Sequence, residues 1–522
     1  MPKKQKRTKL NPRTQLAASR NREAPAKLLS RQRTLVFVCI ALAAAAFLHF
    51  SVDKFPDPDV FYHYRHAEIY ASEGGIFRTS FPWVHYSVIS KFSSDLWYGF
   101  HLVLIPFTLA SDPILGMQLA GMFVTLLFLI ACYVVCCCLK IRPAVFWPFF
   151  LLFSSAFLLH RLAMLRPQVL SLSLGMLLFA LLATESTWGI FIASVASTFL
   201  HLNFFFVSLA VLGVFTITKI LEEKSVPWRE CLALVGGVVA GWLARPNPIG
   251  AAQILYVQLF QLTLEKIGGS PLDLAGEMSP LKLKPNSNYL LFISLLLISL
   301  LYVFRKYLKK DLALSGRDTT SLITAAALSI IFFLLSVFFA RRAFDFCSAF
   351  GVILIGLVFS RCLYENSVAR IVLTCAFIFL VPYGLKLRDQ VLSVGWDPAR
   401  FKSAAMWIAD NSNPGDIVFN ARWEYFPELF FWNAINVYVS GMDPILQFAF
   451  DPSLYQEGYD MVRDEKPPEG LQDPYRILKE KFNARYLFLA KPFDASLYFR
   501  LKRDSRFLLK QENDRSAVFE IS

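Results

Sequence analysis

The chain has 522 residues, 55% of them hydrophobic and 18% charged, with 50 Phe. A soluble protein carries about a quarter charged residues, so a soluble enzyme and a disordered chain are both excluded and a polytopic α-helical membrane protein is indicated. The net charge of +14 would suggest nucleic acid on a soluble protein, yet 11 Lys and Arg against the single acid Glu23 in residues 1–34 place +10 of it in the tail, and no nucleic-acid partner is implied.

Residues 1–34 read as a basic cytoplasmic tail. The first apolar run, Leu35–Ser51, follows directly and reads as an uncleaved anchor. The first external segment, 52–112, carries Asp57-Pro58-Asp59-Val60-Phe61-Tyr62-His63-Tyr64-Arg65-His66. A helix starting near Asp59 puts Asp59, His63 and His66 on one face, with Asp57 and Asp59 at its N-terminus. One reading is a capped interfacial helix with aromatic anchors. The other is a carboxylate with neighbouring imidazoles, able to bind a divalent metal or to act as a general base.

Further apolar runs follow at Pro113–Leu139, Pro143–His160, Pro167–Thr184, Trp188–Leu200, Phe204–Leu221, Cys231–Ala244, Tyr289–Phe304, Leu322–Ala340, Phe344–Phe359 and Ile371–Leu385, making 11 spans. Leu96–Ala110 is short and contains His101 and Pro106, and reads as interfacial or re-entrant. With the tail in the cytoplasm, this choice places the basic segments Lys140–Arg142, Lys219–Glu230, Arg305–Arg317 and Arg361–Arg370 inside. All seven His, together with Arg161, Arg166, Asn203, Arg245, Arg341 and Arg342, then fall on the external side, as does the long loop 246–288. Unusual polar residues gathered at one face point to a site there. His201-Leu202-Asn203 and Arg245-Pro246 also read as hydrogen-bonded turns, and each Arg alone as an interfacial anchor. None of the nine Cys lies in a long polar loop, so no disulfide framework is indicated.

From Lys386 the composition changes to 18 basic and 20 acidic residues. Pro398–Ser412 has a helical pattern, Asn413–Asp416 is a turn, and Ile417–Asn420, Asn436–Ser440, Arg485–Leu489 and Ala517–Ile521 are strand candidates. Asp473–Phe482 reads as a helix. The organisation expected is a tail (1–34), a membrane domain (35–385) and an external α/β domain (386–522).

Asp59-Val60-Phe61-Tyr62-His63-Tyr64-Arg65 resembles the D-P-x-Y-H-Y-R element of oligosaccharyltransferase catalytic subunits, members of the GT-C superfamily of membrane glycosyltransferases. The resemblance implies that Asp59 binds the catalytic metal (Mg or Mn) and contacts the acceptor, with Asp57, His63, Tyr64, Arg65, His66, His201 and Asn203 in support. Glu277 in Gly276-Glu277-Met278-Ser279-Pro280 is similar to the family's external-loop Glu, which helps position acceptor and metal. Arg341-Arg342 resembles the Arg that holds the lipid phosphate, with Arg166 and Arg245 as further donor-binding candidates. Trp423-Glu424-Tyr425 is similar to the family's acceptor-binding W-W-D-Y-G element. The family's second acidic motif corresponds to His160–Pro167, which holds Arg161 and Arg166 and no acid.

The implied activity is transfer of a sugar or oligosaccharide from a polyprenyl-(di)phosphate-linked donor to a protein, lipid or glycan acceptor. The expected location is a plasma (bacterial inner) membrane, with the C-terminal domain external or periplasmic. The alternatives are a transporter or flippase of lipid-linked glycans, which usually shows two related halves, and a non-catalytic GT-C-like member.

Overall fold

The computed structural model describes residues 12–51, 53–72, 75–283, 289–309, 314–463 and 473–522. Residues 1–11 of the expected tail lie outside the described residues, and helix Pro12–Phe50 joins the rest of the tail to the first span. Seven described helices are long and apolar enough to cross a membrane: Arg31–Phe50, Pro113–Cys138, Leu202–Glu223, Tyr289–Leu308, Gly316–Phe338, Arg341–Leu363 and Ser367–Gln390. An eighth forms if Ala156–Ala163 and Pro167–Ala183, bent by 118° at their junction, count as one span.

The expectation of 11 spans therefore exceeds the seven or eight found. The run Pro143–His160 divides at Ser154-Ser155, because the extended Ser155 starts a new helix by accepting the Leu158 N–H. Thr187–Leu200 and Trp228–Leu243 have 14 and 16 residues, short of the ~20 a bilayer requires. These two pack closely. A Cβ on Gly237 or Gly241 would meet the carbonyl oxygen of Phe191 or Val195 at 2.5 Å. The segment read as non-spanning, Leu96–Ala110, is a short helix, Tyr98–Leu104, followed by the 3₁₀ turn Ile105–Leu109.

Helix Phe344–Val358 is the axis of the bundle. Every one of its residues is buried, as a helix apolar on all sides requires. The last span continues through Lys386 to Ser393.

Beyond it lies a five-stranded mixed sheet. Its strands are β1 (Ile417–Asn420), β2 (Val437–Tyr438), β3 (Tyr486–Ala490), β4 (Phe507–Glu512) and β5 (Ser516–Ile521), in the order β2-β1-β3-β5-β4. β1 runs parallel to β2 and β3, while β3, β5 and β4 are antiparallel. All five residues of β3 are buried, so both faces of the sheet are covered there. The expected helix Pro398–Ser412 forms over Lys402–Asn411, and the one expected at Asp473–Phe482 forms over 474–481, its Arg476–Lys481 part wound wide as a π-helix. Two bridges join this region to the segment 52–112, Phe55 with Trp396 and Val84 with Tyr438.

Candidate active site

Four backbone devices converge on one site. Pro167 sits in the first turn of its helix, and the residue before it, Arg166, is extended (φ −130°, ψ 148°), as a residue preceding proline prefers. This breaks the apolar run between two half-helices and leaves Arg161 and Arg166 on either side of the bend. Asp59 opens helix Asp59–Ser72. Glu277 lies in the 3₁₀ turn Gly276–Met278. The Ser279 carbonyl, just beyond, accepts the Arg341 N–H at 2.8 Å. Arg341 and Arg342 belong to a second 3₁₀ turn at the head of the axial helix.

The side chains form one interlocked charge network. Arg166 donates from Nε and Nη2 to the two carboxylate oxygens of Asp57, the second at 2.5 Å. Its Nη2 lies 2.7 Å from Asp59 Oδ2 and its Nη1 3.2 Å from Glu277 Oε1. Arg161 donates from Nη2 to Glu277 Oε2 at 2.5 Å and from Nε to Asp345 Oδ2 at 3.0 Å. Paired, hydrogen-bonded charges of this kind are what a buried site tolerates. Among the described residues, neither Arg341 nor Arg342 has a carboxylate within 4 Å. Their guanidinium groups are therefore not neutralised by a paired carboxylate, although that of Arg341 lies over the Phe157 ring, 5.3 Å from its centroid.

Two cavities meet at this network. One, of about 260 Å³, is lined by Arg161, Arg166, Arg341 and Arg342 with Phe157 and Trp396. The other, of about 110 Å³, is lined by His63, His201, Asn203, Gln258 and Asp443 with apolar neighbours. Asp59, Arg166, Glu277, Arg342 and Trp423 belong to both walls. The larger cavity sets these four arginines among five carboxylates, Asp57, Asp59, Glu277, Asp345 and Glu424; its guanidinium groups on Arg341 and Arg342 are the ones free to face an anionic group beside the Asp59 carboxylate.

Burial raises the Asp59 carboxyl to about 7; Arg166 opposes this, while the carboxylates of Asp57, Glu277 and Asp443 add to it. Burial also raises Asp443, to about 6. Glu277 is held below the usual carboxylate range, because Arg161, Arg166 and Arg342 outweigh its burial. The environment thus separates two neighbouring carboxyls into a proton carrier and a permanently charged group.

The residues around Asp59 do not fit a divalent ion as they stand. Both oxygens of Asp57 and both oxygens of Glu277 already accept guanidinium N–H groups, and the neighbouring segment His160–Pro167 supplies Arg161 and Arg166 but no acid. A His/Asp cluster suited to a metal does occur, at His66, Asp95 and His101.

Several expected residues lie elsewhere. Arg245 donates to the carbonyl oxygens of Asp95, Leu96, Thr198 and Phe199, which makes it a brace between these segments, and it lines neither cavity. Tyr64 donates to the Phe107 carbonyl at 3.1 Å, and Arg65 pairs with Glu68 along the helix surface. Tyr425 is buried against Asp494 at 3.0 Å, whereas Trp423 and Glu424 reach the larger cavity. The sequence reading treats Arg161 only as an external helix-end cation and does not single out Gln258 or Asp443. A Pro-terminated apolar run ending in Arg was a signal available for the first of these.

The chain matches no family model and no curated relative in sequence. Among solved structures it is similar to ArnT from Cupriavidus metallidurans bound to undecaprenyl phosphate, with a TM-score of 0.56 at 14% identity over 94% of this chain and 98% of that one. It is also similar to the Archaeoglobus fulgidus oligosaccharyltransferase solved with Zn and sulfate, with a TM-score of 0.52 at 13% identity over 89% of this chain and 69% of that one. A mycobacterial arabinofuranosyltransferase, AftD, matches with a TM-score of 0.52 at 11% identity over 94% of this chain and 41% of that one. The chain has a GT-C-like fold.

Proposed function

We propose that the protein is a membrane glycosyltransferase that takes a sugar or oligosaccharide from a polyprenyl-(di)phosphate-linked donor and transfers it to a protein, lipid or glycan acceptor at the external face. The position of Asp59, on the wall between a cavity with four arginines and a second, mixed cavity, carries this reading. The undecaprenyl phosphate bound in the similar ArnT structure supports the donor class. The proposed orientation puts the basic tail in the cytoplasm and the domain 386–522 outside, in a multi-pass plasma or bacterial inner membrane.

The chemistry follows from the charges. The acceptor's nucleophile attacks the anomeric carbon, the bond from that carbon to the phosphate oxygen breaks, and the oxygen leaves with the electron pair. Arg341 and Arg342 face the negative charge that develops on the leaving phosphate. The ionised Asp59 accepts the proton that the acceptor loses. Glu277 and Asp57 hold Arg166 in place, and so keep the cationic and carboxylate halves of the site in register. No step is assigned to a metal at Asp59. Trp423, on both walls, is positioned to contact the acceptor.

Comparative profiling of glycans and lipid-linked sugars in cells with and without the protein tests the proposal. Accumulation of one lipid-linked donor with loss of one glycan is expected. Unchanged profiles in both fractions would overturn it.

A further inference from the structure

We infer that His66, Asp95 and His101 form a second centre, a divalent-metal site of the zinc type set behind the reaction cavity, distinct from the Asp59 position to which the family resemblance assigns a metal. One donor atom from each of the three lies within 4.8 Å of the others. His101 Nδ1 is 2.6 Å from Asp95 Oδ2, and His66 Nε2 is 4.0 Å from the same oxygen. A tetrahedral zinc with bonds of about 2.0–2.1 Å keeps its donor atoms about 3.3 Å apart, and the two observed separations straddle that value. Two imidazoles and one carboxylate are a donor set that zinc accepts. A cavity of about 10 Å³ borders His66 and Asp95, room for roughly one water as a fourth ligand.

The surroundings are built as metal sites are built. Every donor group has its remaining polar atom fixed by a neighbour. His66 Nδ1 bonds the Tyr62 hydroxyl at 3.0 Å, and His101 Nε2 bonds His63 Nδ1 at 2.8 Å. The Trp97 N–H donates to Asp95 Oδ1 at 2.8 Å, and the Tyr70 hydroxyl donates to Asp95 Oδ2 at 3.1 Å. All three side chains are at most 7% exposed.

The second of these bonds links the centre to the reaction cavity, which His63 lines; this part of the inference rests on the proposed function. Without a metal, His101 donates its Nδ1–H to Asp95. Its Nε2 then accepts the Nδ1–H of His63, and His63 Nε2 keeps a lone pair. With a metal on His101 Nδ1, the His101 proton sits on Nε2 and is donated to His63 Nδ1, so the His63 proton moves to Nε2. No net proton is gained or lost. Occupancy of the metal site changes the free nitrogen of His63 from an acceptor into a donor.

Metal content of the purified full-length protein, stripped with chelator and reloaded with zinc, tests the site. About one zinc per chain is expected in the wild type and in Asp59→Asn, and at least a tenfold weaker affinity in Asp95→Asn and His101→Gln. Cobalt loaded into the stripped wild type should give the intense visible bands of a four-coordinate site, a readout that needs no variant to fold. Failure of the stripped wild type to take up zinc or cobalt at about one per chain overturns the inference, and so does loss of binding in Asp59→Asn alone. Neither outcome bears on sugar transfer, which the profiling experiment measures separately.

Discussion

Asp59→Asn removes one charge and almost no volume. Arg166 keeps its two bonds to Asp57 and its contact with Glu277, so the bend that carries it stays anchored. Burial holds the Asp59 carboxyl at about 7 against an ordinary 3.8, which corresponds to about 4 kcal/mol disfavouring the ionised form. A folded pKa raised in this way contributes stability that is full below pH 3.8 and is lost as pH rises through 7. Asparagine carries no such loss, so membrane abundance at neutral pH should stay the same or rise. Transfer should fall about 10²–10⁴-fold, the usual contribution of a positioned general base. The assay is complementation of a deletion strain, read as recovery of the missing glycan, with immunoblotting of membranes for abundance. A variant that transfers within about threefold of wild type would refute the role given to Asp59; one that disappears from the membrane would refute the packing argument.

Transfer by the wild type should decline as pH falls below about 7, following protonation of Asp59. Asp443→Asn removes a carboxylate that raises that value, so the acid limb of the profile should move to lower pH; a limb at or above the wild-type position would count against the coupling. Arg342→Ala should weaken transfer about 10–150-fold, from the loss of a charge-assisted contact worth about 1.5–3 kcal/mol, with partial recovery in Arg342→Lys; kinetics against donor concentration in membrane vesicles decide this. Arg166→Ala leaves the carboxylates of Asp57, Asp59 and Glu277 facing one another and should cost about 3–5 kcal/mol, visible as lost abundance and a lower midpoint in a thermal-shift assay on solubilised protein. A reporter fused after Ser522 should read external, and a cytoplasmic signal would reverse the proposed orientation.

The parts of the structure legible in the sequence are those whose information is local. Strand β1 was expected at Ile417–Asn420 and forms there, because a short apolar run follows an Asn-Pro-Gly-Asp turn. The Asp59 helix was legible from its acidic start. Helix length was not, because apolarity alone cannot show that Ser155 restarts a helix or that Thr187–Leu200 has only 14 residues. Strand β4 alternates in burial over Phe507–Glu512, but its polar residues hide the pattern. The site's charge network was legible only in part. Asp59, Glu277 and Arg342 follow from motif order, whereas Arg161 looks like one more helix-end cation until the bend turns it toward Glu277. The pairing of His66 with Asp95 and His101 has no spacing signal, since it depends on how helix Tyr98–Leu104 packs on Asp59–Ser72.

The wall shared by the two cavities has a thermodynamic consequence. Arg166 and Glu277 face both chambers, so an anion entering one alters the potential felt in the other. Linkage requires the effect to be mutual: whatever factor the donor applies to acceptor affinity, the acceptor applies to donor affinity. Among the described residues Arg342 has no carboxylate within 4 Å, but its charge acts at longer range on Glu277 and Asp443; on the proposed function, a donor phosphate beside it offsets that field, and these carboxylates then favour a proton-bearing acceptor. On the proposed function, the unliganded protein, with Asp57, Asp59 and Glu277 tied to Arg161 and Arg166, offers water a poorer base than it offers an acceptor arriving second. Ordered substrate entry and low wasteful hydrolysis of the donor would then share a single origin.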